Sequence, residues 1–384
     1  MSEIPKVSPA ELVEKVDTKI ELVKTRSLDL SFNELLDMYE DGEFEIAPDY
    51  QRLFRWPEEK ESRFIESLIL EMPIPPIYVV EKEEGIYELM DGLQRMSSYL
   101  HFRGALEEKE DREKYLRLTG CDIVKELNGY TFEELPKVLQ IKLKRNFIRV
   151  EVIRKGSDPK LRYYMFKRLN TGGELLSEQE IRNCTVRLLD NKFNDLIIKL
   201  SDDQNFINCI SHLSDEKKEQ KVDQEYVLKF FAFKNDRERY KKNIAPFITE
   251  YMERVSDASL GNEDVFNYTE EELVFRKTFA VLNSCLGENI FARLNQRDNF
   301  VSSLTPTHYD SITVGLQPYL DELNHNDEQQ MEKLKEVFTM LKKDSAYLSV
   351  TGGGGKNTIS YLNQRISLVE EKVGEMLNEQ RENS

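Results

Sequence analysis

The run Glu88-Leu89-Met90-Asp91-Gly92-Leu93-Gln94-Arg95 predicts a β-strand that passes directly into an α-helix. The strand is the apolar segment 86–90, and apolar and basic residues follow Gly92 at helical spacing. A helix that begins at such a junction directs backbone N–H groups and the positive end of its dipole toward an anion. Because Arg95 adds a positive charge one turn into the helix, the sequence predicts a phosphate site. The alternative is an ordinary Asp-Gly turn followed by a solvated arginine.

The composition is that of a helix-rich globular protein. The chain has 384 residues, of which 33% are charged and 39% apolar, and a mean hydropathy of −0.58. We expect no membrane association, because no apolar run approaches the ~18 residues that cross a bilayer. The N-terminus also lacks the basic and apolar regions of a secretory signal. The four cysteines have no paired spacing, which predicts reduced thiols in a cytoplasmic protein.

The charge distribution is uneven. A formal net charge of −17 excludes electrostatic DNA binding over the whole surface. Residues 141–168, however, contain ten Lys or Arg and two acidic residues, a local balance of +8. Within this segment Lys142, Lys144 and Arg145 are candidates for contacts with DNA, and a solvated strand and helix face is the alternative.

The signals for β-structure end near residue 190. Residues 77–80 and 86–90 predict an antiparallel hairpin, and the alternation of apolar residues over 147–153 predicts a further strand. Beyond these segments the apolar pattern is helical. We therefore expect an α+β protein with an N-terminal arm or helix over 1–24, a mixed domain over 25–190 and an all-helical domain over 191–384.

The loop from Pro48 to Trp56 carries residues suited to a nucleotide. It contains Tyr50, Gln51 and Arg52, and Trp56 is the only tryptophan of the chain. An aromatic side chain beside arginine can stack on a base. The alternative is that Trp56 anchors this loop to the core.

Two glycine-containing loops follow. The first contains Asn170, Thr171 and Gly172. Asparagine and glycine allow positive φ and expose backbone N–H groups to an anion, although a helix C-cap is the alternative. The run Gly352-Gly353-Gly354-Gly355-Lys356-Asn357 is not a P-loop, because Asn357 stands where Ser or Thr should follow the lysine. We expect it to be a flexible loop between two helices.

Five segments in consistent order carry a family resemblance. They are Tyr50-Gln51-Arg52 with Trp56, the run from Phe64 to Tyr78, Asp91-Gly92-Leu93-Gln94-Arg95, the run from Leu127 to Pro136, and the run from Leu169 to Asn183. Together they resemble the GmrSD-type restriction endonuclease N-terminal domain, a member of the ParB/sulfiredoxin-like superfamily. The resemblance covers roughly residues 25–190. It implies a compact α+β domain that binds and can hydrolyse a nucleoside triphosphate with Mg²⁺.

The resemblance also implies roles for individual residues. Asp91, Gln94 and Arg95 would be catalytic. Asp91 would act through a metal ion or a water, Gln94 would orient the reacting group, and Arg95 would hold phosphates. The contacts that bind the nucleotide would come from Gly92, from the phosphate-holding loop of Asn170, Thr171 and Gly172, and from Tyr50, Gln51, Arg52 and Trp56.

Two departures from the family pattern bear on function. Leu93 stands where the family usually has glutamine, and none of the four histidines forms the paired arrangement of a His-Asn-His nuclease. We expect a nucleotide-hydrolysing component of a bacterial anti-phage or restriction system that acts on DNA with a separately encoded nuclease or ATPase subunit. One alternative is a non-catalytic DNA-binding or scaffold module with a degenerate nucleotide site, and another is a DNA nickase. A homo-oligomer is compatible with each of these functions.

Overall fold

The structure, a computed structural model, shows two compact units that divide between Glu174 and Leu175. The first unit combines a five-stranded mixed sheet with helices, and the second is built of helices, which confirms the predicted α+β class. The described residues are 7–22, 24–46, 56–106, 114–158, 164–165, 168, 177–186, 189–257, 266–353 and 355–382, without the side chains of 184 and 185.

The sheet has the strand order β1-β5-β3-β4-β2. The predicted hairpin is confirmed as the antiparallel pair β3–β4, while β3 pairs with β5 in parallel. At the two edges, β1 is antiparallel to β5 and β2 is parallel to β4. The strands are β1 (Thr25–Ser31), β2 (Phe44–Glu45), β3 (Ile77–Glu83), β4 (Ile86–Asp91) and β5 (Phe147–Ile153).

The helices and the sheet of the first unit both bury apolar positions. The predicted alternation of β5 is confirmed, since Ile148, Val150 and Val152 are buried while Phe147 and Arg149 are exposed. The helices α2, α3 and α4 each bury apolar side chains. Their bounds, with those of α1 and α5, are α1 (Pro9–Glu21), α2 (Phe32–Glu40), α3 (Glu58–Ile69), α4 (Leu93–Arg103) and α5 (Lys137–Arg145).

A buried carboxylate on α3 fixes the loop that contains residues 121–129. Glu66 accepts hydrogen bonds from the backbone N–H groups of Asp122, Ile123 and Val124, at 3.3, 3.1 and 2.6 Å. The side chain of Asn128 closes the same loop by accepting from the N–H of Cys121 at 2.9 Å. A buried carboxylate requires such donors. Glu66 and Asn128 both lie in segments that carry the family resemblance, and these two residues therefore have a structural role.

The helical unit begins before the boundary that the sequence suggests at residue 190. Its first described helix is α6 (Glu178–Val186). Arg182 connects α6 to other helices of this unit. The buried Arg182 guanidinium donates to Thr249 Oγ1 and to Glu225 Oε2, both at 2.8 Å. The other helices are α7 (Lys192–Ser201), α8 (Gln204–Cys209), α9 (Asp215–Glu219), α10 (Val222–Asp236), α11 (Ile244–Val255), α12 (Tyr268–Leu286), α13 (Pro306–Gly315), α14 (Glu328–Leu341), α15 (Ser345–Thr351) and α16 (Ile359–Glu382).

A buried ion cluster joins three helices of this unit. Lys229 Nζ on α10 lies 2.6 Å from Asp310 Oδ1 on α13, and the Arg365 guanidinium on α16 donates to Asp310 Oδ2 at 3.0 Å. The three side chains expose 6%, 2% and 2% of their surface. Arg365 also donates to the carbonyl of Lys356, so the cluster holds one end of the glycine-rich loop between α15 and α16. The carboxylate of Asp310 is therefore shared by two buried cations.

The described helices also bear on the membrane expectation. In the ranges given above, no helix is both long and apolar enough to cross a bilayer. The helix α1 has no buried residue and is amphipathic, with Leu12, Val13, Val16 and Ile20 exposed.

Candidate nucleotide site

The junction at Asp91-Gly92 has the geometry that the sequence predicts. The strand β4 ends at Asp91, and α4 begins at Leu93 with Gly92 as its N-cap. Gly92 has φ 103° and ψ 16°, a left-handed conformation that a side chain would strain. A Cβ atom at this position would also lie 2.4 Å from Cγ2 of Ile77. The position therefore requires glycine, both for its backbone conformation and for the close approach of β3.

Asp91 and Arg95 form an ion pair across the first turn of α4. The Arg95 guanidinium donates to Asp91 Oδ2 at 2.8 Å, and the two side chains expose 14% (Arg95) and 30% (Asp91) of their surface. The same guanidinium donates to the carbonyls of Pro75 and Pro76, at 2.6 and 2.9 Å. Arg95 thus fixes both the carboxylate and the turn that leads into β3. Three of the five N–H groups of an arginine are used in this way.

Gln94 connects the junction to Trp56. Its side-chain Oε1 accepts from the backbone N–H of Trp56 at 3.1 Å, and its own carbonyl accepts from the hydroxyl of Ser98 at 2.7 Å. The Trp56 ring packs edge to face against Phe64, with ring centroids 6.1 Å apart. Lys60 Nζ lies 4.9 Å from the centre of the Trp56 ring. The structure therefore brings two of the predicted site residues, Gln94 and Trp56, into direct contact.

A row of polar residues crosses the sheet and ends at Asp91. In the strand register Asp91 pairs with Tyr78, Tyr78 pairs with Glu151, and Glu151 pairs with Ser27. Residues paired in this way project from the same face of a sheet. Ser27 Oγ donates to Glu151 Oε2 at 2.6 Å, so the row is hydrogen-bonded at its β1 end. The site residues predicted from the sequence do not include Tyr78 or Glu151. The alternation of polar and apolar residues along the predicted strands is the signal that could have placed them on one face.

Several predicted site residues lie outside the described residues. These are Tyr50, Gln51 and Arg52 of the first loop and Asn170, Thr171 and Gly172 of the second. Lys160, Arg162 and Lys167 of the basic segment are outside them too. Their proposed contacts with a nucleotide or with DNA stay predictions.

A metal ion at this site would depend on Asp91 for its protein ligand. Within the described ranges, no group of three or more His, Cys, Asp or Glu side chains is arranged to hold a metal. Mg²⁺ is commonly held by one or two carboxylates together with substrate phosphates and water. Since Asp91 Oδ2 accepts from Arg95, its Oδ1 is the atom suited to such a metal. The donor set fits a Mg²⁺ that arrives with a nucleotide.

The three candidate DNA contacts lie together on the last turn of α5. Lys142 Nζ is 3.5 Å from Glu71 Oε1, and Lys144 Nζ is 5.6 Å from the centre of the Phe132 ring. Arg145 is exposed at the end of the helix, where cations also stabilise the negative end of the dipole. The end of α5 is therefore basic, with Lys142 and Arg145 one turn apart. The contacts of Lys142 and Lys144 with Glu71 and Phe132 account for part of the charge, as the alternative of a solvated helix face predicts.

The comparisons with known proteins agree with the resemblance. The sequence model of the family described as GmrSD restriction endonuclease, N-terminal domain, matches residues 32–187. No curated protein matches the chain. The family match includes the whole Asp91–Arg95 junction and indicates a restriction or anti-phage defence protein that acts on DNA. Residues 32–187 of this chain are therefore similar to the GmrSD restriction endonuclease N-terminal domain, in agreement with the resemblance of the five segments.

Proposed function

We propose that the junction formed by Asp91, Gly92 and Arg95 binds a nucleoside triphosphate with Mg²⁺, and that hydrolysis of this nucleotide drives a cytoplasmic restriction system. The observation that carries the proposal is the strand–glycine–helix geometry with a carboxylate and a guanidinium side by side. The helix N-terminus favours a phosphate, and the fixed arginine adds positive charge next to it. Phosphoryl transfer requires mainly positioning and charge stabilisation, which such groups provide.

Each residue at the junction has a separable task in this proposal. The left-handed Gly92 lets the chain turn so that the first N–H groups of α4 face the phosphates. Asp91 holds or activates the attacking water and provides a carboxylate for the metal, and Arg95 keeps that carboxylate in place. A bound Mg²⁺ would supply charge neutralisation at the phosphates.

The first prediction concerns nucleotide affinity. We expect Arg95→Ala to weaken binding of Mg-nucleotide by about 1.5–3 kcal/mol, the range for hydrogen bonds to charged groups. The reason is that the substitution removes the positive charge and releases Asp91. Isothermal titration calorimetry with each of the four ribonucleoside triphosphates measures the effect.

Arg103→Ala provides the matched control. Arg103 lies on the same helix, roughly 12 Å further along it, and donates to the hydroxyl of Tyr99 at 2.8 Å. Its loss should leave nucleotide affinity unchanged. Wild-type protein that gives no heat with any of the four nucleotides in magnesium would refute the proposed function.

The second candidate function is a nucleotide-gated module without hydrolysis, which regulates a separately encoded nuclease or ATPase subunit. One observation favours it. Leu93 is 4% exposed, so this motif position packs into the core and offers no polar group to a nucleotide. The two functions share the same binding site and differ in whether phosphate is released.

The second prediction concerns DNA. We propose that the surface of Lys142, Lys144 and Arg145 contacts phosphates of duplex DNA. Reversing all three charges to glutamate should then abolish binding at moderate salt. For the wild-type protein, the logarithm of affinity should fall with the logarithm of salt concentration by about 0.9 per phosphate contacted. Fluorescence anisotropy with labelled duplex over a salt series measures both effects.

A control with the same change in net charge is available in the helical unit. Lys217, Lys218 and Lys241 are exposed lysines, and their joint reversal to glutamate adds equal negative charge. If both triple variants lose DNA binding equally, the effect is one of net charge, and the assignment to α5 is wrong.

A further inference from the structure

We propose that Gln94 is a positioning residue, which acts on the candidate site by holding Trp56 in place through its side-chain oxygen. The part of this inference that concerns the nucleotide rests on the proposed function. The contact itself is specific, since Oε1 of Gln94 accepts from the backbone N–H of Trp56 at 3.1 Å. This hydrogen bond gives the side-chain oxygen a task in placing Trp56, which is distinct from orienting a reactant.

The position of Trp56 in the chain explains why this hydrogen bond matters. Trp56 precedes Pro57, which has no N–H and restricts the residue before it to extended conformations. Pro57 is also the N-cap of α3 and makes no side-chain cap hydrogen bond. The entry of the chain into α3 therefore lacks the usual side-chain cap, and the bond to Gln94 connects it to the first turn of α4.

The indole ring is oriented by α3, while the backbone is held by α4. The ring packs edge to face on Phe64 at an interplanar angle of 68° and lies under Lys60. Both neighbours are on α3, Lys60 in its first turn and Phe64 in its second. Gln94 is thus the link between the aromatic residue and the helix whose N-terminus forms the junction. Through this link the backbone of Trp56 is held at the first turn of α4.

Two substitutions separate the acceptor from the rest of the side chain. Gln94→Glu keeps an oxygen at the Oε1 position, whereas Gln94→Met has a similar length and no acceptor of comparable strength. A positioning role predicts that the methionine variant loses the contact with Trp56 and that the glutamate variant keeps it. A role in which the amide group itself orients a reactant predicts that both variants keep the contact with Trp56 and lose nucleotide hydrolysis equally.

The test is the fluorescence of the nucleotide-free protein, in which Trp56 is the only tryptophan. We expect Gln94→Met to shift the emission maximum to longer wavelength and to raise the acrylamide quenching constant, because the entry to α3 loosens. We expect Gln94→Glu to match wild type. Ser98→Ala is the control, since it removes a hydrogen bond from the same helix without touching Trp56. An unchanged Gln94→Met spectrum, or an equal shift in both variants, would overturn the proposal.

A nucleotide titration tests the part of the inference that rests on the proposed function. If wild-type protein binds a nucleotide, Gln94→Met should bind it more weakly, and Trp56 emission should respond to saturation in wild type. If wild-type protein binds none, the proposed function fails, while the nucleotide-free spectra still decide whether Gln94 positions Trp56.

Discussion

Replacement of Asp310 by alanine is expected to lower the free energy of unfolding of the helical unit by about 3–5 kcal/mol, the range for breaking a buried ion pair. The carboxylate contacts Lys229 at 2.6 Å and Arg365 at 3.0 Å, and all three side chains are buried. Without it, two buried cations lose the carboxylate with which both of them pair. Urea denaturation followed by circular dichroism at 222 nm measures the loss as a lower midpoint.

Asp321→Ala is the matched control for this prediction. Asp321 lies in the same unit and also pairs with a lysine, Lys277, at 3.3 Å, but it is fully exposed. Water screens such a pair, so its removal should produce no measurable change. Equal midpoints for Asp310→Ala and wild type would show that the buried cations do not depend on this carboxylate.

The second large effect is expected at the candidate site. If the protein hydrolyses nucleotide, Asp91→Asn should reduce phosphate release by about 10²–10⁴-fold, as expected for the loss of an acid–base group. The fold should persist, because the asparagine oxygen can still accept from Arg95 and the side chain is 30% exposed. A coupled assay for inorganic phosphate measures the rate, and circular dichroism verifies the fold.

Asp29→Asn controls for the loss of a carboxylate on the same sheet. Asp29 also pairs with an arginine, Arg149, but it lies on β1 away from the junction. The Asp29→Asn variant should release phosphate at the wild-type rate.

If the wild type releases no phosphate but Leu93→Gln gains hydrolysis, the natural protein is the non-hydrolysing module. Hydrolysis by wild type that survives Asp91→Asn would remove Asp91 from the mechanism.

The sequence was sufficient to predict the elements that form the junction. The hairpin β3–β4, the glycine turn and the start of α4 follow from strand alternation and from the Asp91-Gly92 pair, which are local signals. The helical character of the C-terminal part follows from its apolar spacing in the same way. The resemblance extended this local information to an ordered set of loops, and the family match confirms it over residues 32–187.

The partners of the site residues could not be predicted because they are set by tertiary packing. Arg95 donates to the carbonyls of Pro75 and Pro76, and backbone carbonyls carry no sequence signal. Trp56 and Gln94 are 38 residues apart, and their contact depends on how α3 and α4 pack. Arg365 and Asp310 are 55 residues apart, and nothing local in either segment marks them as a buried pair.

The most direct measurement is amide hydrogen exchange of the full chain with and without a Mg-nucleoside triphosphate, followed by mass spectrometry of peptides. If the junction binds phosphates, peptides that cover residues 91–96 should gain protection, because the first N–H groups of α4 would donate to the ligand. Arg95→Ala should abolish that gain at the same nucleotide concentration. Nucleotide binding seen by calorimetry without protection of residues 91–96, or with protection confined to the helical unit, would contradict the assignment of the site.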